Sequence, residues 1–161
     1  DDLLAQYPTD QKGRVAAFRP GGIYARVLAG HNTIQVVGEN VFVHGGVLPD
    51  HVTYGIKEIN AEISDWMNDK AKRPASTSGD SCPVWSRHYS SNVDETDCKL
   101  AAQMLAMLGA KRIIVAHTVQ SSGINAACGG LVWRVDVGMS KHYGGTPQVL
   151  LIEGDKTAIK K

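Results

Sequence analysis

Short apolar runs alternate with amphipathic stretches along this chain, and their order predicts its elements. Thr33 to Val37 and Val41 to Val43 are β-type runs separated by Gly38-Glu39-Asn40, a spacer of hairpin length and composition. Beyond Pro49, the residues Ile56, Ile59, Ile63 and Trp66 or Met67 recur at helical spacing. Lys57, Glu58, Glu62 and Asp65 take the opposite face, so this segment is predicted to be an amphipathic helix. A second helix is expected from a cap at Asp94 or Thr96 through Leu100, Met104, Leu105 and Leu108, with Gly109 as its stop. The cluster Met104, Leu105, Met107 and Leu108 reads as core packing. A strand holding Ile113 to Val115 follows at once. Leu131 to Val137 alternates in strand fashion, and Gln148 to Ile152 forms a further apolar strand before a charged tail, Glu153 to Lys161.

Two stretches lack a period. Residues 1–22 are polar and end in Phe18-Arg19-Pro20-Gly21-Gly22, which reads as an irregular connection. The segment from Arg73 to Pro83 is rich in turn formers and predicts a long exposed loop leading into Val84-Trp85-Ser86-Arg87. The order is therefore β-β-α followed by α-β-β-β, without an internal repeat, and the fold class is α/β. A chain of 161 residues amounts to about one domain.

Composition narrows the function classes. A formal net charge of +1 with 43% hydrophobic residues is that of an ordinary globular protein, with no bulk attraction to nucleic acid or acidic lipid. Neither is expected as a partner. The apolar runs are far shorter than the roughly 20 residues that span a bilayer, and Asp1-Asp2-Leu3-Leu4 lacks a signal peptide's basic region. Cys82, Cys98 and Cys128 lie far apart without a CxxC spacing and cannot all pair within the chain, which points to the cytoplasm or another reducing compartment. Cys98 reads as a small packing residue; Cys128, beside Gly129 and Gly130, is the candidate reactive thiol.

The chemistry concentrates on two histidines. His44 ends the run Val41-Phe42-Val43 and precedes Gly45-Gly46, while His117 ends Arg112-Ile113-Ile114-Val115-Ala116 in the same manner. Strand ends followed by irregular chain expose ligands while the strands stay buried, and glycines permit close approach. Neutral imidazole suits zinc, manganese or iron, so two histidines so placed are candidates to converge on one cation.

Five segments together resemble the calcineurin-like metallophosphoesterases, and within their phosphoprotein phosphatases the Shewanella-like branch. They are Phe18-Arg19-Pro20-Gly21-Gly22, Val41 to Pro49 with its His44-Gly45-Gly46, Pro83-Val84-Trp85-Ser86-Arg87, Val115-Ala116-His117-Thr118-Val119-Gln120, and Trp133-Arg134-Val135-Asp136-Val137-Gly138-Met139-Ser140. The resemblance implies a portion of a two-sheet β-sandwich flanked by helices. It also implies two divalent metal ions (Mn, Fe or Zn), with His44 and His117 as ligands of the second, and Arg87 as the substrate phosphate clamp. Ala116 stands where many members have glycine. The family's earlier motifs GDxHG, GDxxDRG and GNHE do not occur, so residues 1–161 correspond to the C-terminal half of a catalytic domain. The implied partners are a phosphorylated protein and the missing N-terminal half of the same domain.

Two metals roughly 3.5–4 Å apart require carboxylates between and around them, which the two histidines do not provide. The resemblance thus implies an intact protein that hydrolyses phosphomonoesters, with a preference for phosphotyrosine, and a chain that is inactive alone, without a catalytic residue of its own. Two alternatives remain open: a degenerate, non-catalytic phosphate-binding module, and a nucleotide or diadenosine polyphosphate hydrolase. The residues alone leave simpler roles open as well. His31, His51, His88 and His142 read as surface or supporting residues, with His51 nearest the site; Tyr89 is placed in the same pocket as Arg87. Asp136 either orients a ligating histidine or satisfies turn amides, and it stays outside the metal set.

Overall fold

A computed structural model describes residues 2–161. Its centre is a five-stranded mixed sheet in the order β1 (Ile34–Val37), β2 (Asn40–Val43), β3 (Arg112–Val115), β5 (Val132–Arg134), β4 (Asn125–Ala127), and a separate two-stranded hairpin of β6 (Val149–Glu153) and β7 (Lys156–Lys160) follows. The β1 strand (Ile34–Val37) and β2 (Asn40–Val43) form the hairpin predicted around Gly38-Glu39-Asn40, with Ile34 opposite Val43 and Val37 opposite Asn40. From β2 the chain crosses over through α4 (Pro49–Tyr54), α5 (Ile56–Met67) and α6 (Glu95–Leu108) and returns as β3 (Arg112–Val115), parallel to β2. A parallel neighbour needs such a crossover, because a tight turn only reverses direction. Then β4 (Asn125–Ala127) and β5 (Val132–Arg134) complete the sheet, β5 running parallel to β3.

Every residue of β3 is buried, as a strand with neighbours on both sides and covered faces requires. Val41, Ile113, Val115 and Val132 from the strands meet Ile59 and Ile63 from α5 and Ala101, Met104 and Leu105 from α6 in one core. Each large side chain fully buried there contributes about 1.5–3 kcal/mol. The α6 ends are defined chemically. Asp94 accepts the Asp97 amide at the start, and Gly109 closes the end at φ 62°, where a Cβ would be strained. Of the predicted packing cluster, Met104 and Leu105 are buried and Met107 is exposed.

Several sequence expectations need correction. The segment read as irregular holds three helices, α1 (Asp2–Ala5), α2 (Thr9–Phe18) and α3 (Ile23–Leu28), with Asp1 outside the described residues. Helix α2 buries no residue, so it has no apolar stripe to betray it. The charged tail contributes β7 (Lys156–Lys160), which pairs with β6 (Val149–Glu153) along all five residues. The loop from Arg73 to Pro83 is only partly exposed. It holds a short 3-10 turn at Ala75–Thr77, and Thr77 and Cys82 are buried. Cys98 and Cys128 are joined in a disulfide with Cα atoms 5.1 Å apart, so Cys98 is not merely a packing residue and Cys128 has no reactive thiol. The free thiol belongs to buried Cys82, and wide sequence spacing is no ground for expecting a reducing compartment. No helix among the described residues is long and apolar enough to cross a membrane.

Candidate metal and phosphate site

The candidate site lies at the carboxyl ends of β2 and β3. Because the two strands run parallel with Phe42 beside Ile114, their ends emerge together, and the Ala116 amide donates to the His44 carbonyl at 2.9 Å. The side chains that follow meet: His44 Nε2 and His117 Nδ1 are 2.9 Å apart. One ring donates to the other, so at least one is held in a defined tautomer.

Glycines explain what stands over them. The carbonyl of Pro83 accepts from the amides of Gly45 and Gly46 at 2.8 and 3.1 Å, so the turn containing Pro83 to Ser86 rests directly on the glycine pair. A Cβ on Gly45 would come within 2.8 Å of both the Pro83 oxygen and the Ser86 nitrogen, closer than real Cβ atoms pack. That approach places the Trp85 ring 4.9 Å from the His117 ring, centroid to centroid. The Arg87 guanidinium in turn lies 4.8 Å from the Trp85 centroid. His44, His117, Trp85 and Arg87 therefore form one contiguous cluster, three of whose members the sequence had singled out.

His117 itself is under conformational load. Its φ of 64° is left-handed, which costs a non-glycine residue about 1–2 kcal/mol. The surroundings hold it there. Thr118 Oγ1 and Ser90 Oγ are hydrogen-bonded at 2.8 Å, Gln120 Nε2 donates to the carbonyls of Ser90 and Thr118, and the Gln120 amide donates to the Asp136 carbonyl at 2.7 Å. Ser90 escaped the sequence reading, and Thr118 and Gln120 entered it only as part of a resembling segment with no role assigned, since loop polar residues carry no period. Asp136 accepts the Gly138 amide at 3.0 Å through Oδ1, which is the turn-amide role.

Burial, then the neighbouring Arg87 and His44, push the His117 imidazole below its ordinary range, against an opposing pull from Asp136. Its neutral form is thus favoured, the form that binds metals. Its Nε2 is buried with no hydrogen-bond partner. With metal–nitrogen bonds of about 2.0–2.1 Å, adjacent donors on one ion stand roughly 3 Å apart, which the two imidazole nitrogens match. Their donor chemistry fits two positions of a borderline divalent cation. Among the described residues no group of three or more His, Cys, Asp or Glu side chains forms a fuller set.

Two other residues lie elsewhere than expected. Tyr89 is fully buried, and its hydroxyl donates to the Val47 carbonyl at 3.0 Å, so it is a core residue and lines no pocket with Arg87. His51 sits at the start of α4, where its Nδ1 accepts the Leu48 amide at 3.0 Å. It lines a separate cleft of about 470 Å³ with Tyr54, Glu62 and Ser76. His88 pairs with Asp97 of α6 at 2.8 Å.

No protein-family model matches the chain. It is 42% identical over 151 residues to "Shewanella-like protein phosphatase 2" of Arabidopsis thaliana, which covers 89% of this chain and 39% of that protein. An uncharacterized protein of Schizosaccharomyces pombe is 26% identical over 124 residues, covering 72% of this chain and 36% of its own length. Among solved structures, two of a cold-active protein tyrosine phosphatase superpose with TM-scores of 0.68 and 0.67 at 20% identity. The latter is from a psychrophilic Shewanella species; the two cover 82% of this chain and 40% and 41% of theirs. At that identity the likeness concerns the fold. The chain spans about two-fifths of the length of these relatives. Over the part it spans, the chain is similar in sequence to the Shewanella-like protein phosphatase and in fold to the cold-active tyrosine phosphatase.

Proposed function

We propose that this chain is part of the catalytic unit of a metal-dependent phosphoprotein phosphatase that hydrolyses phosphomonoesters, phosphotyrosine in preference. The observation that carries the reading is the 2.9 Å meeting of His44 and His117 beside Arg87's stacked side chain. In this proposal the two imidazoles hold one ion of a dinuclear centre, and carboxylates from outside the chain complete it. Bound divalent cations supply the acidity that makes water a nucleophile at neutral pH and offset phosphoryl charge.

The chain's own residues do the rest. Arg87 has no carboxylate partner among the described residues, so its guanidinium is free to take two phosphate oxygens in a bidentate grip. That grip orients the ester and balances charge that grows as the leaving bond breaks. Burial and adjacent positive charge favour the neutral form of His117, and hydrogen bonds of Thr118 and Gln120 hold the backbone that follows it.

The decisive experiment measures metal content and p-nitrophenyl phosphate turnover for the 161-residue chain and for a longer polypeptide that includes upstream carboxylates. We expect metal-dependent turnover by the longer form and little by the chain alone. Robust turnover by the chain alone overturns the part-site clause. Phosphotyrosine, phosphoserine and diadenosine polyphosphate substrates, run side by side, check the substrate class. Phosphopeptide binding without turnover by the longer form identifies a non-catalytic phosphate-binding module instead.

A further inference from the structure

Trp85 has no part in the chemistry so far, yet it touches both halves of the site. Its indole contacts the His117 ring at 4.9 Å on one side and the Arg87 guanidinium at 4.8 Å on another. Despite these contacts it is 51% exposed, an unusual outlay for the largest apolar side chain. Core packing does not explain it. The residue is carried on the Pro83–Ser86 turn that only a glycine at position 45 admits, so its placement is built into the backbone.

Electrostatics gives that placement a purpose. Arg87 is permanently charged and lies in one cluster with the Trp85 indole and the His44 and His117 imidazoles. With no carboxylate paired to it among the described residues, a bare guanidinium there gains more from swinging into water than from staying. A carboxylate would hold it but would also occupy the donors that a phosphate needs. An aromatic face attracts the cation through its ring quadrupole and leaves the planar edge of N–H donors open.

We infer that Trp85 is a positioning residue, holding the Arg87 guanidinium beside the His44–His117 pair as an unpaired, ready anion receptor. The inference rests on the phosphate-clamp reading of Arg87, and the test separates the two. The probe is inorganic phosphate titrated into the full chain, followed by 31P NMR and by the Arg87 Nε–H resonance. In the wild type that resonance is shifted by the indole ring current and moves on phosphate addition. Trp85→Leu is expected to weaken phosphate binding about fivefold, the factor that corresponds to one cation–π contact at a half-exposed site. Trp85→Phe, which keeps an aromatic face, restores most of the affinity.

The double variant Trp85→Leu with Arg87→Ala binds no worse than Arg87→Ala alone, because the indole acts only through the guanidinium. Wild-type affinity in Trp85→Leu, additive losses in the double variant, or an Arg87 resonance without a ring-current shift overturns the role of Trp85 while leaving the clamp intact. Undiminished binding by Arg87→Ala, or no phosphate binding by the wild type, overturns the clamp and with it the inference. The ring-current measurement uses unmodified protein and stands whether or not Trp85→Leu folds.

Discussion

The carboxyl ends of β2 and β3 and the helices α1 to α3 are opposite cases in one small molecule. At the strand ends backbone hydrogen bonds tie separate segments together: the Pro83 carbonyl sits on the Gly45 and Gly46 amides, and Ala116 bonds back to His44. In α2 and α3, by contrast, Phe18, Ile23, Tyr24 and Val27 are all more than half exposed, and only Ala25 of the two helices is buried. The first region is over-determined and tolerates strain at His117; the second rests on few contacts. A site in which the His117 Nε2 lacks a hydrogen bond and Arg87 lacks a carboxylate partner among the described residues needs such a rigid frame.

That contrast can be broken by mutation. Ile113→Ala in β3 removes a fully buried side chain between two parallel neighbours and is expected to cost about 2–5 kcal/mol, read from denaturant melts. Gly45→Ala forces the Pro83–Ser86 turn off the glycine pair, for a cost of about 1–3 kcal/mol, with changed tryptophan fluorescence as Trp85 leaves His117. Asp94→Ala removes the cap of α6, worth about 1 kcal/mol, and lowers the thermal midpoint without touching the site. Val27→Ser on exposed α3 should stay within about 0.5 kcal/mol of wild type; a larger loss would show that α3 is as tightly held as the strand ends.

The smallest expected effect is one of pH. Burial lowers the His51 imidazole below its ordinary value of 6.5, with Asp50 opposing. Unfolding therefore takes up a proton on the acid side. The contribution of neutral His51 is fully present above its unfolded value and is lost as pH falls through the folded one. Stability against pH for wild type and His51→Gln should differ in slope only between the folded value and the unfolded one. A slope that persists in His51→Gln assigns it to other groups.

The same contrast governs what was legible from sequence. The hairpin, α5 and α6 announce themselves through period and caps, because each buries a stripe or closes with a residue suited to its backbone. The site histidines were visible for a related reason, since an imidazole at the end of a buried strand beside two glycines is hard to explain by packing alone. Helix α2 was invisible because it buries nothing, and β4, only Asn125–Ala127, is too short and small to show alternation. The meeting of Trp85 with His117 arises from the turn over Gly45, a tertiary contact across some thirty residues of chain that no local pattern encodes. Cys98 and Cys128 likewise become neighbours only once α6 has crossed the sheet.

Their bond has a topological result. It ties positions 30 residues apart into a covalent ring that encloses most of α6, all of β3 and β4, and His117. A single protease nick inside that ring leaves both pieces joined, so the imidazole-bearing segment cannot be shed from the protein by one cut. The same closure narrows the denatured ensemble, and the chain therefore starts each refolding with this arc already gathered.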